Sequence, residues 1–528
     1  MSTRADVVIV GGGHNGLVAA AYLAQAGRRV LVLERLDRVG GAAVSAQAFG
    51  GVDAQLSRYS YLVSLLPRRV IRELGLDIRL ERRRYSSYTP LPGTDRGLLV
   101  DHGDQAATAA SFASIGAAHD AAAWPGFYAR TGALARAIFP TATEPLLTRG
   151  ETRRAVGDDT AWADFVERPV GEVVERTFSN DLVRGVVLTD ALIGTFAPNI
   201  DESLAGNRCF LYHVIGNGTG DWDVPVGGMG AVTGALEATA RRAGAEIATG
   251  AEVTAITPDG EVTFTRGERE TTVCASVVLA GVAPHVLARL TGTAATTPKP
   301  EGAQVKVNLL LSRLPRLRDE GLDPAAAFGG TFHINESWGQ LGDAFDTAAG
   351  GGIPNPLPCE IYCHSLTDPS ILSPELRESG AQTLTVFGLH SPHRLVDGNS
   401  VEASDGDHDA MRERLQRAAI DSLDSVLAEP IEPLLLRDAA GRPTIETKTT
   451  LDIERALAMP GGNIFHGPLS WPFAEDDADL STAAARWGVA TEHPRILLCG
   501  SGAARGGGVS GLGGHNAAMA VLESHPLL

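Results

Sequence analysis

Three glycines near the start of the chain have the spacing of a dinucleotide-binding turn. Gly11, Gly13 and Gly16 follow the apolar segment DVVIV and precede a stretch with helical apolar spacing. In such a turn the first glycine permits the bend, the second admits a pyrophosphate, and the third lets the helix approach the sheet. The first helical turn would offer free N–H groups and a positive dipole to the phosphates. The chemistry to expect here is the binding of a dinucleotide.

An acid at the end of the second predicted strand extends this motif. Glu34 ends the segment VLVLE, where a carboxylate accepts hydrogen bonds from an adenosine ribose and disfavours a ribose 2′-phosphate. Up to this point the motif fits NAD and FAD alike. Arg38, Gly40 and Gly41 follow in the segment RVGG, and a glycine doublet at this place resembles an extension that binds FAD in amine oxidases and phytoene desaturases.

A second glycine-rich turn lies close to the C-terminus. The segment GSGAARGGGVSGLGGHN comes directly after the apolar segment RILLC and before an apolar helix, and glycine fills six of the ten positions 505–514. Flavin reduction places negative charge on N1 and the C2 carbonyl, which a helix N-terminus reached by bare backbone would stabilise. We therefore expect Gly500, Gly511 and Gly513 to hold the flavin half of FAD, with Arg505 adding positive charge.

The elements that must position these turns come from separate parts of the chain. A strand at 6–10, a helix at 15–26 and a strand at 29–34 form a predicted βαβ unit. The segment PVGGMG opens a long amphipathic helix and three strands that return to the same domain, and the last strand, turn and helix close it. We predict a discontinuous FAD-binding domain at 1–66, 222–300 and 455–528.

The remaining segments predict a second domain. Apolar spacing is helical through most of 67–221, and the strands KVNLLLSRL, PCEIYCHSL and TLTVFGLHS lie within 301–454. A chain of 528 residues exceeds what one hydrophobic core normally supports. The predicted fold class is α/β: a Rossmann-like FAD-binding domain of the two-dinucleotide-binding type, with an interleaved α+β substrate domain.

Composition excludes several classes of function. A net charge of −18 disfavours nucleic acid and anionic lipid as partners. The five cysteines show no CxxC pair and no zinc-type spacing with histidine, so we expect no metal site and a reduced, cytoplasmic protein. The sequence has no apolar run of ~18 residues and no export signal at 1–10, so any membrane contact would be peripheral.

Taken together, four segments resemble the phytoene desaturase-like FAD-dependent oxidoreductases, and the similarity spans essentially the whole chain. The segments are VVIVGGGHNGLVAAAYLAQAGRRVLVLERLDRVGGAA, VPVGGMGAVTGAL, VKVNLLLSRLP and ILLCGSGAARGGGVSGLGGHNAA. The nearest branch is named pyridine nucleotide-disulfide oxidoreductase domain-containing protein 2. A redox CxxxxC after the first motif is absent, which argues against disulfide chemistry. Ala42 departs from the arginine that follows the doublet in amine oxidases and many phytoene desaturases.

The resemblance implies roles for two residues. Val253, in the strand after the second glycine helix, would pair its backbone with the adenine. Lys306 lies in the apolar strand VKVNLLLSRL and resembles the lysine that holds a water over flavin N5 in amine oxidases. The alternative for Lys306 is a lysine on an edge strand that reaches solvent.

Other side chains remain open between a site role and a packing role. His14 and Asn15 fill the variable positions of the first turn and would meet phosphate through backbone only. The others could border the flavin or the substrate entrance, or could simply pack in the core: Tyr59, Tyr61, His364, His390, His466 and Trp471.

Three functions agree with these features. The first is an FAD-dependent oxidoreductase that moves a hydride between flavin N5 and a small apolar or amphipathic substrate, with oxygen or a quinone as electron acceptor. The second is a desaturase of carotenoids or other polyenes. The third, from another class, is a flavin-binding regulatory or scaffold protein with little turnover.

Overall fold

A computed structural model of the chain describes residues 4–295, 298–397 and 405–524. The strands are β1 (Arg4–Val10), β2 (Val30–Leu33), β3 (Ser45–Gln47), β4 (Gln55–Ser57), β5 (Leu80–Glu81), β6 (Tyr85–Pro90), β7 (Gly97–Asp101), β8 (Val224–Pro225), β9 (Glu246–Ala248), β10 (Glu252–Ile256), β11 (Glu261–Arg266), β12 (Arg269–Ala280), β13 (Val305–Leu311), β14 (Thr331–Ile334), β15 (Cys359–Tyr362), β16 (Gln382–Gly388), β17 (Ile445–Lys448) and β18 (Ile496–Leu498).

The α-helices are α1 (His14–Gln25), α2 (Arg68–Glu73), α3 (Gln105–Ser114), α4 (Ala118–Ile138), α5 (Arg149–Val156), α6 (Asp159–Trp162), α7 (Val170–Thr177), α8 (Asp181–Leu188), α9 (Ala205–Val214), α10 (Met229–Arg242), α11 (Pro284–Thr291), α12 (Pro324–Ala327), α13 (Trp338–Ala349), α14 (His364–Thr367), α15 (Pro374–Glu378), α16 (Asp405–Asp424), α17 (Thr450–Leu457), α18 (Ala483–Arg486) and α19 (Leu512–Ser524). Short 3₁₀ helices and a π-helical turn at Ala163–Glu167 connect some of them.

The first sheet is built on the nucleotide-binding βαβ unit. Its order is β10-β11-β12-β1-β2-β9, with β18 beside β12. Strands β12, β1, β2, β9 and β18 run parallel, and β10 and β11 add an antiparallel edge. Every side chain of β2 is buried, as a central parallel strand requires. Helices α1 and α19 pack against each other on this sheet.

The second sheet has the order β17-β13-β16-β15-β14-β6-β7 and is mostly antiparallel. Strands β6 and β7 belong to this sheet although the sequence indicates mostly helix for 67–221. The segment YSSYTP of β6 carries few apolar side chains, so its period-2 pattern is weak, and its pairing with β14 and β7 makes it a strand.

Helices α3 to α9 form the predicted helical region. Its core is aromatic, with the rings of Phe127, Phe165 and Phe210 packed within 6.2 Å of one another. The predicted fold class is thus confirmed, with a Rossmann-like unit and an interleaved α+β unit. The two sheets draw their strands from alternating parts of the chain, and the domain boundaries stay a prediction. No helix among the described residues has the length and apolarity to cross a bilayer.

Candidate functional site

The first glycine turn leaves space and free backbone donors at the N-terminus of α1. A Cβ on Gly16 would lie 2.3 Å from the carbonyl oxygen of Gly11, so this position must be glycine for the helix to meet the turn. Gly13 is the N-cap and has no side-chain cap, and the nearest atom to a Cβ there would be the Cα of Gly41 at 4.0 Å. The N–H groups of the first turn of α1 are therefore available to an anion.

Glu34 is fixed at the wall of this turn. Its Oε2 accepts a hydrogen bond from the Gly12 amide at 2.8 Å, and its Oε1 accepts one from the Leu36 amide at 2.8 Å. The carboxylate is 7% exposed and retains lone pairs for a ribose. The Gly40 amide donates to the carbonyl oxygen of Gly12 at 2.8 Å, so the glycine doublet braces the same turn.

A cavity of about 400 Å³ extends from this turn to the second sheet. Eight of the predicted site residues line it: Gly11, Gly13, Gly16, Glu34, Gly41, Val253, Lys306 and Gly500. Val253 lines the cavity and lies on β10, the edge strand of the described first sheet. Arg38 has an exposed side chain outside the wall, and Arg35 lines the cavity instead.

The C-terminal turn meets the cavity through fewer glycines than the sequence predicts. A Cβ on Gly513 would lie 2.4 Å from the Gly500 carbonyl oxygen, and a Cβ on Gly511 would lie 3.0 Å from Val18 Cγ2. Neither residue lines the cavity, whereas Gly508 and Val509 do. Gly511 and Gly513 therefore let α19 pack closely against its surroundings.

Arg505 does not add charge to the cavity, so that expectation is wrong. Its Nη1 donates to the carbonyl oxygens of Thr141 at 2.7 Å and Glu144 at 2.8 Å, which ties the glycine turn to the helical region. The side chain is 1% exposed, and burial lowers its pKa to about 10. The glycines around Arg505 give no sign in the sequence that its side chain points to the helical region and not to the cavity.

Lys306 is buried on an interior strand and lines the cavity. Strand β13 lies between β16 and β17, so the edge-strand alternative is wrong. Its Nζ donates to the carbonyl oxygens of Tyr59 at 2.7 Å and Ser57 at 3.0 Å. One N–H of an ammonium, or the lone pair of a neutral amine, remains for a further partner. Burial holds the pKa of Lys306 well below its usual value.

Aromatic rings surround the Lys306 amine. Nζ lies 5.3 Å from the centroid of Tyr61 and 5.1 Å from that of Phe387, within the range of cation–π contact. Tyr59 and Tyr61 both line the cavity, as does His466. The Nδ1 atom of His466 is buried without a hydrogen-bond partner, and burial lowers its pKa to about 4.

The remaining candidates take supporting positions. Nε2 of His14 lies 3.2 Å from the Gly508 carbonyl oxygen, which links the two glycine turns. His364 lies 5.5 Å from the Tyr61 ring, while His390 packs at 5.8 Å against each of two phenylalanine rings. Trp471 stacks on Phe473. His364, His390 and Trp471 do not line this cavity, and they do not line a second cavity that adjoins it.

A second cavity of about 380 Å³ adjoins the first. The two share five wall residues: Tyr61, Leu62, Ile193, His213 and Trp222. Beyond this shared wall the lining becomes charged, with Arg83, Asp190, His333 and Glu360. The second cavity therefore joins an apolar passage to a polar end.

Burial shifts the pKa values of the acids at the polar end upward. Burial raises the pKa of Asp190 to about 6 and that of Glu360 to about 8. The Tyr362 hydroxyl donates to Glu360 Oε2 at 2.5 Å, and His333 Nδ1 lies 2.5 Å from Glu336 Oε2. His333, Glu336 and Glu360 place one ligand atom each within 4.8 Å of one another, and burial raises the pKa of both glutamates.

Sequence reasoning missed this polar end. His333 lies in the apolar strand TFHI and Glu360 in the apolar strand CEIY, and both side chains are buried. A charged residue in an apolar strand is the same signal that singled out Lys306. Applied to every strand, it would have found them.

Comparison with known proteins finds one matching family and relatives that span nearly the whole chain. The family described as flavin containing amine oxidoreductase matches residues 16–310. An uncharacterized protein of Mycobacterium tuberculosis is 56% identical over 528 residues, which cover 98% of this chain and 97% of that protein. Pyridine nucleotide-disulfide oxidoreductase domain-containing protein 2 of the mouse is 29% identical, with 98% of this chain and 93% of that protein covered.

A solved structure agrees on the fold. Cyclohexylamine oxidase from Brevibacterium oxydans superposes with a TM-score of 0.54 at 15% identity, covering 99% of this chain and 100% of that one. The family match spans more than half of the chain, and flavin chemistry is what the family has in common. The chain therefore belongs to the flavin-containing amine oxidoreductases, and its cofactor is FAD.

Proposed function

We propose that this protein oxidises or reduces an amphipathic organic substrate, with FAD in the first cavity and the substrate in the second. The observation that carries the proposal is that the two cavities share wall residues, among them Tyr61, whose ring centroid lies 5.3 Å from Lys306 Nζ. A molecule in the second cavity would therefore lie next to the part of the first cavity that Lys306 lines. When bound, FAD supplies hydride chemistry at N5. The protein's own residues must then bind, orient and exclude water.

The ADP half would occupy the βαβ end of the first cavity. The free N–H groups at the start of α1 would receive the pyrophosphate, and Glu34 would accept hydrogen bonds from the ribose. The open edge of β10 at Val253 would pair with the adenine. This arrangement puts the flavin half toward Gly500, Gly508 and Lys306, at the other end of the wall.

Lys306 would act at the flavin end through the position on Nζ that its two carbonyl partners leave open. Those carbonyls, of Ser57 and Tyr59, fix the direction of the side chain. An amine held in this way can position a water or exchange a proton with one. The direction of its pKa shift suits the second role, because burial favours the neutral amine that can accept a proton.

The polyene desaturase finds less support than an oxidoreductase acting on an amphipathic molecule. A long hydrocarbon would have to pass the charged end of the second cavity, where Arg83, Asp190 and Glu360 line the wall. A scaffold without turnover finds less support as well. Ionisable groups buried around a cavity cost stability, and such groups concentrate at functional sites.

The test is the redox behaviour of the purified protein. We expect bound FAD to be reduced by light under anaerobic conditions and to return to the oxidised spectrum when air or a quinone is admitted. Flavin that cannot be photoreduced, or that stays reduced with both acceptors, would favour the scaffold. Extraction of a coloured, more unsaturated product from a carotenoid incubation would favour the desaturase.

A further inference from the structure

Three consecutive arginines enter the second sheet, and the middle one differs from its neighbours. Arg82 pairs with Asp221 at 2.7 Å, and its side chain is 56% exposed. Arg84 pairs with Asp101 at 2.9 Å, and its side chain is 64% exposed. Arg82, its partner Asp221 and Arg83 all line the second cavity, whereas Arg84 lies outside the lining. Arg83 is thus the lining arginine for which the structure shows no ion pair among the described residues.

Within the described residues, Arg83 makes no ion pair. Its hydrogen bond runs from Nη1 to the Thr331 hydroxyl at 3.1 Å, and its Nε atom is buried without a partner. The guanidinium also lies 5.7 Å from the ring centroid of Tyr362. A guanidinium has five N–H donors, so most of its hydrogen-bonding capacity is unused here.

None of the acidic groups around the second cavity makes an ion pair with Arg83 among the described residues, although Asp223 and Glu360 attract its charge. Glu360 accepts the hydrogen bond of the Tyr362 hydroxyl, and its pKa of about 8 leaves it largely protonated at neutral pH. Asp221 and Asp223 pair with Arg82. A partly buried guanidinium with unused N–H donors and no contacting carboxylate is suited to accept a bound anion.

We propose that Arg83 binds a carboxylate of the substrate, so that the substrate is an amphipathic carboxylate. Its anionic group would lie at Arg83, and its apolar part would run along Leu62, Ile193 and Trp222 to the first cavity. Arginine suits this role because its planar fork matches a carboxylate and stays charged when partly desolvated. This inference names the substrate class of the proposed oxidoreductase site and rests on that proposal.

The test compares three eight-carbon probes on the FAD-loaded protein: octanoate, octan-1-ol and octylamine. Binding is followed by the change in flavin absorbance and by the shift in Tm. We expect octanoate to bind at least ~10-fold more tightly than octan-1-ol, since a charge-assisted hydrogen bond is about twice as strong as a neutral one. Equal binding of all three probes, or a preference for octylamine at Asp190 and Glu360, would overturn the proposal.

Substitutions of single arginines test whether octanoate binds at Arg83 itself or responds to any positive charge near the cavity. Arg83→Met should lose the preference for octanoate while its FAD spectrum is retained, and Arg83→Lys should keep part of it. Arg84→Met removes a neighbouring exposed arginine that does not line the cavity, so it serves as the matched control and should bind octanoate as the wild type does. Loss of the preference in Arg84→Met but not in Arg83→Met would contradict the assignment.

The carboxylate site and the proposed oxidoreductase function can fail separately, and the measurements tell these two failures apart. If the flavin is photoreduced and re-oxidised normally but octanoate shows no preference, the carboxylate site is wrong and the oxidoreductase stands. If octanoate is preferred through Arg83 but the flavin is redox-inert, the proposed function is wrong.

Discussion

At the scale of single residues, Lys306 carries the sharpest prediction about chemistry. Lys306→Met removes the one polar group that β13 aims at the flavin end of the first cavity while keeping a side chain of similar length. We expect FAD to stay bound and the rate of flavin re-oxidation or substrate turnover to fall about 100-fold, the usual loss for a positioned proton-transfer or electrostatic partner. Stopped-flow absorbance measures the rate.

The control for this change is Lys299→Met, since Lys299 is 37% exposed and pairs with Glu454 outside the cavity. Its re-oxidation rate should match the wild type. Identical rates for the Lys306 variant and the control would remove Lys306 from the active site.

The first glycine turn gives a second prediction at this scale. Gly13→Glu puts a side chain and a negative charge in the space beside Gly41, so FAD binding should be abolished. Gly234→Glu is the matched control, because Gly234 lies on the exposed face of α10 with no atom within 4 Å of its Cβ position. Flavin absorbance per mole of purified protein decides the result, and full occupancy in the Gly13 variant would mean that the pyrophosphate lies elsewhere.

Residue types alone predicted part of this site. The spacing of Gly11, Gly13, Gly16 and Glu34 indicated the first turn because each position has a separate steric or hydrogen-bonding requirement. The direction of a side chain carries no such signal. The sequence therefore gives no sign that Arg505 donates to Thr141 and Glu144, or that Arg83 differs from the arginines on either side of it.

At the scale of elements, the packing of α19 explains the glycines that do not line the cavity. Gly513→Ala would press its Cβ to 2.4 Å from the Gly500 carbonyl oxygen. We expect the free energy of unfolding to fall by about 1–3 kcal/mol, as overpacking usually costs. Gly126→Ala in α4, with nothing within 4 Å of the Cβ position, should instead leave stability unchanged or raise it by up to about 1 kcal/mol.

Urea unfolding followed by circular dichroism measures both variants. Equal stability of the Gly513 variant and the wild type would show that α19 can shift to make room. Gly513→Asp would add a larger side chain as well as a negative charge. It would disturb the packing of α19 before its charge could affect the flavin.

Strands can be predicted from the sequence where apolar residues form a nearly continuous run. They cannot where polar and apolar residues are mixed without a regular alternation. Every residue of β2 and β13 and most residues of β1 are buried, and most of their side chains are apolar. β6 reads YSSYTP, and its place in the second sheet depends on a parallel partner more than 200 residues away in sequence. Long-range pairing of this kind leaves no local pattern.

At the scale of the whole molecule, buried histidines tie stability to pH. Burial lowers the pKa of His14, His213, His390 and His466 to about 4 from an ordinary value near 6.5. Between those values the unfolded chain binds more protons than the folded one. The free energy of unfolding that depends on keeping these four histidines neutral is therefore fully present above pH ~6.5. It declines as the pH falls toward 4.

His390→Asn tests this account. His390 has neither ring nitrogen hydrogen-bonded and a φ of +48°, a conformation that asparagine tolerates well. We expect the loss of unfolding free energy between pH 6.5 and 4.5 to be smaller in the variant, as measured by urea titrations at both pH values. Parallel pH profiles for the two proteins would contradict a neutral buried histidine at this position.

Two returns of the chain to the first sheet carry a sequence signal, because each contains a glycine turn directly before a helix, α10 or α19. The adjacent cavities carry none, because their shared wall combines Tyr61, Ile193 and Trp222 from segments with no common pattern. The site is thus a product of the whole fold, although its cofactor motif is local.

The most direct test of the central claim is a crystal structure of the protein with its FAD bound. The account predicts the adenine beside Val253, the ribose at Glu34, the pyrophosphate at the N-terminus of α1, and the isoalloxazine ring near Lys306 with the second cavity opening onto it. An FAD bound in the reverse direction, or outside the first cavity, would contradict it.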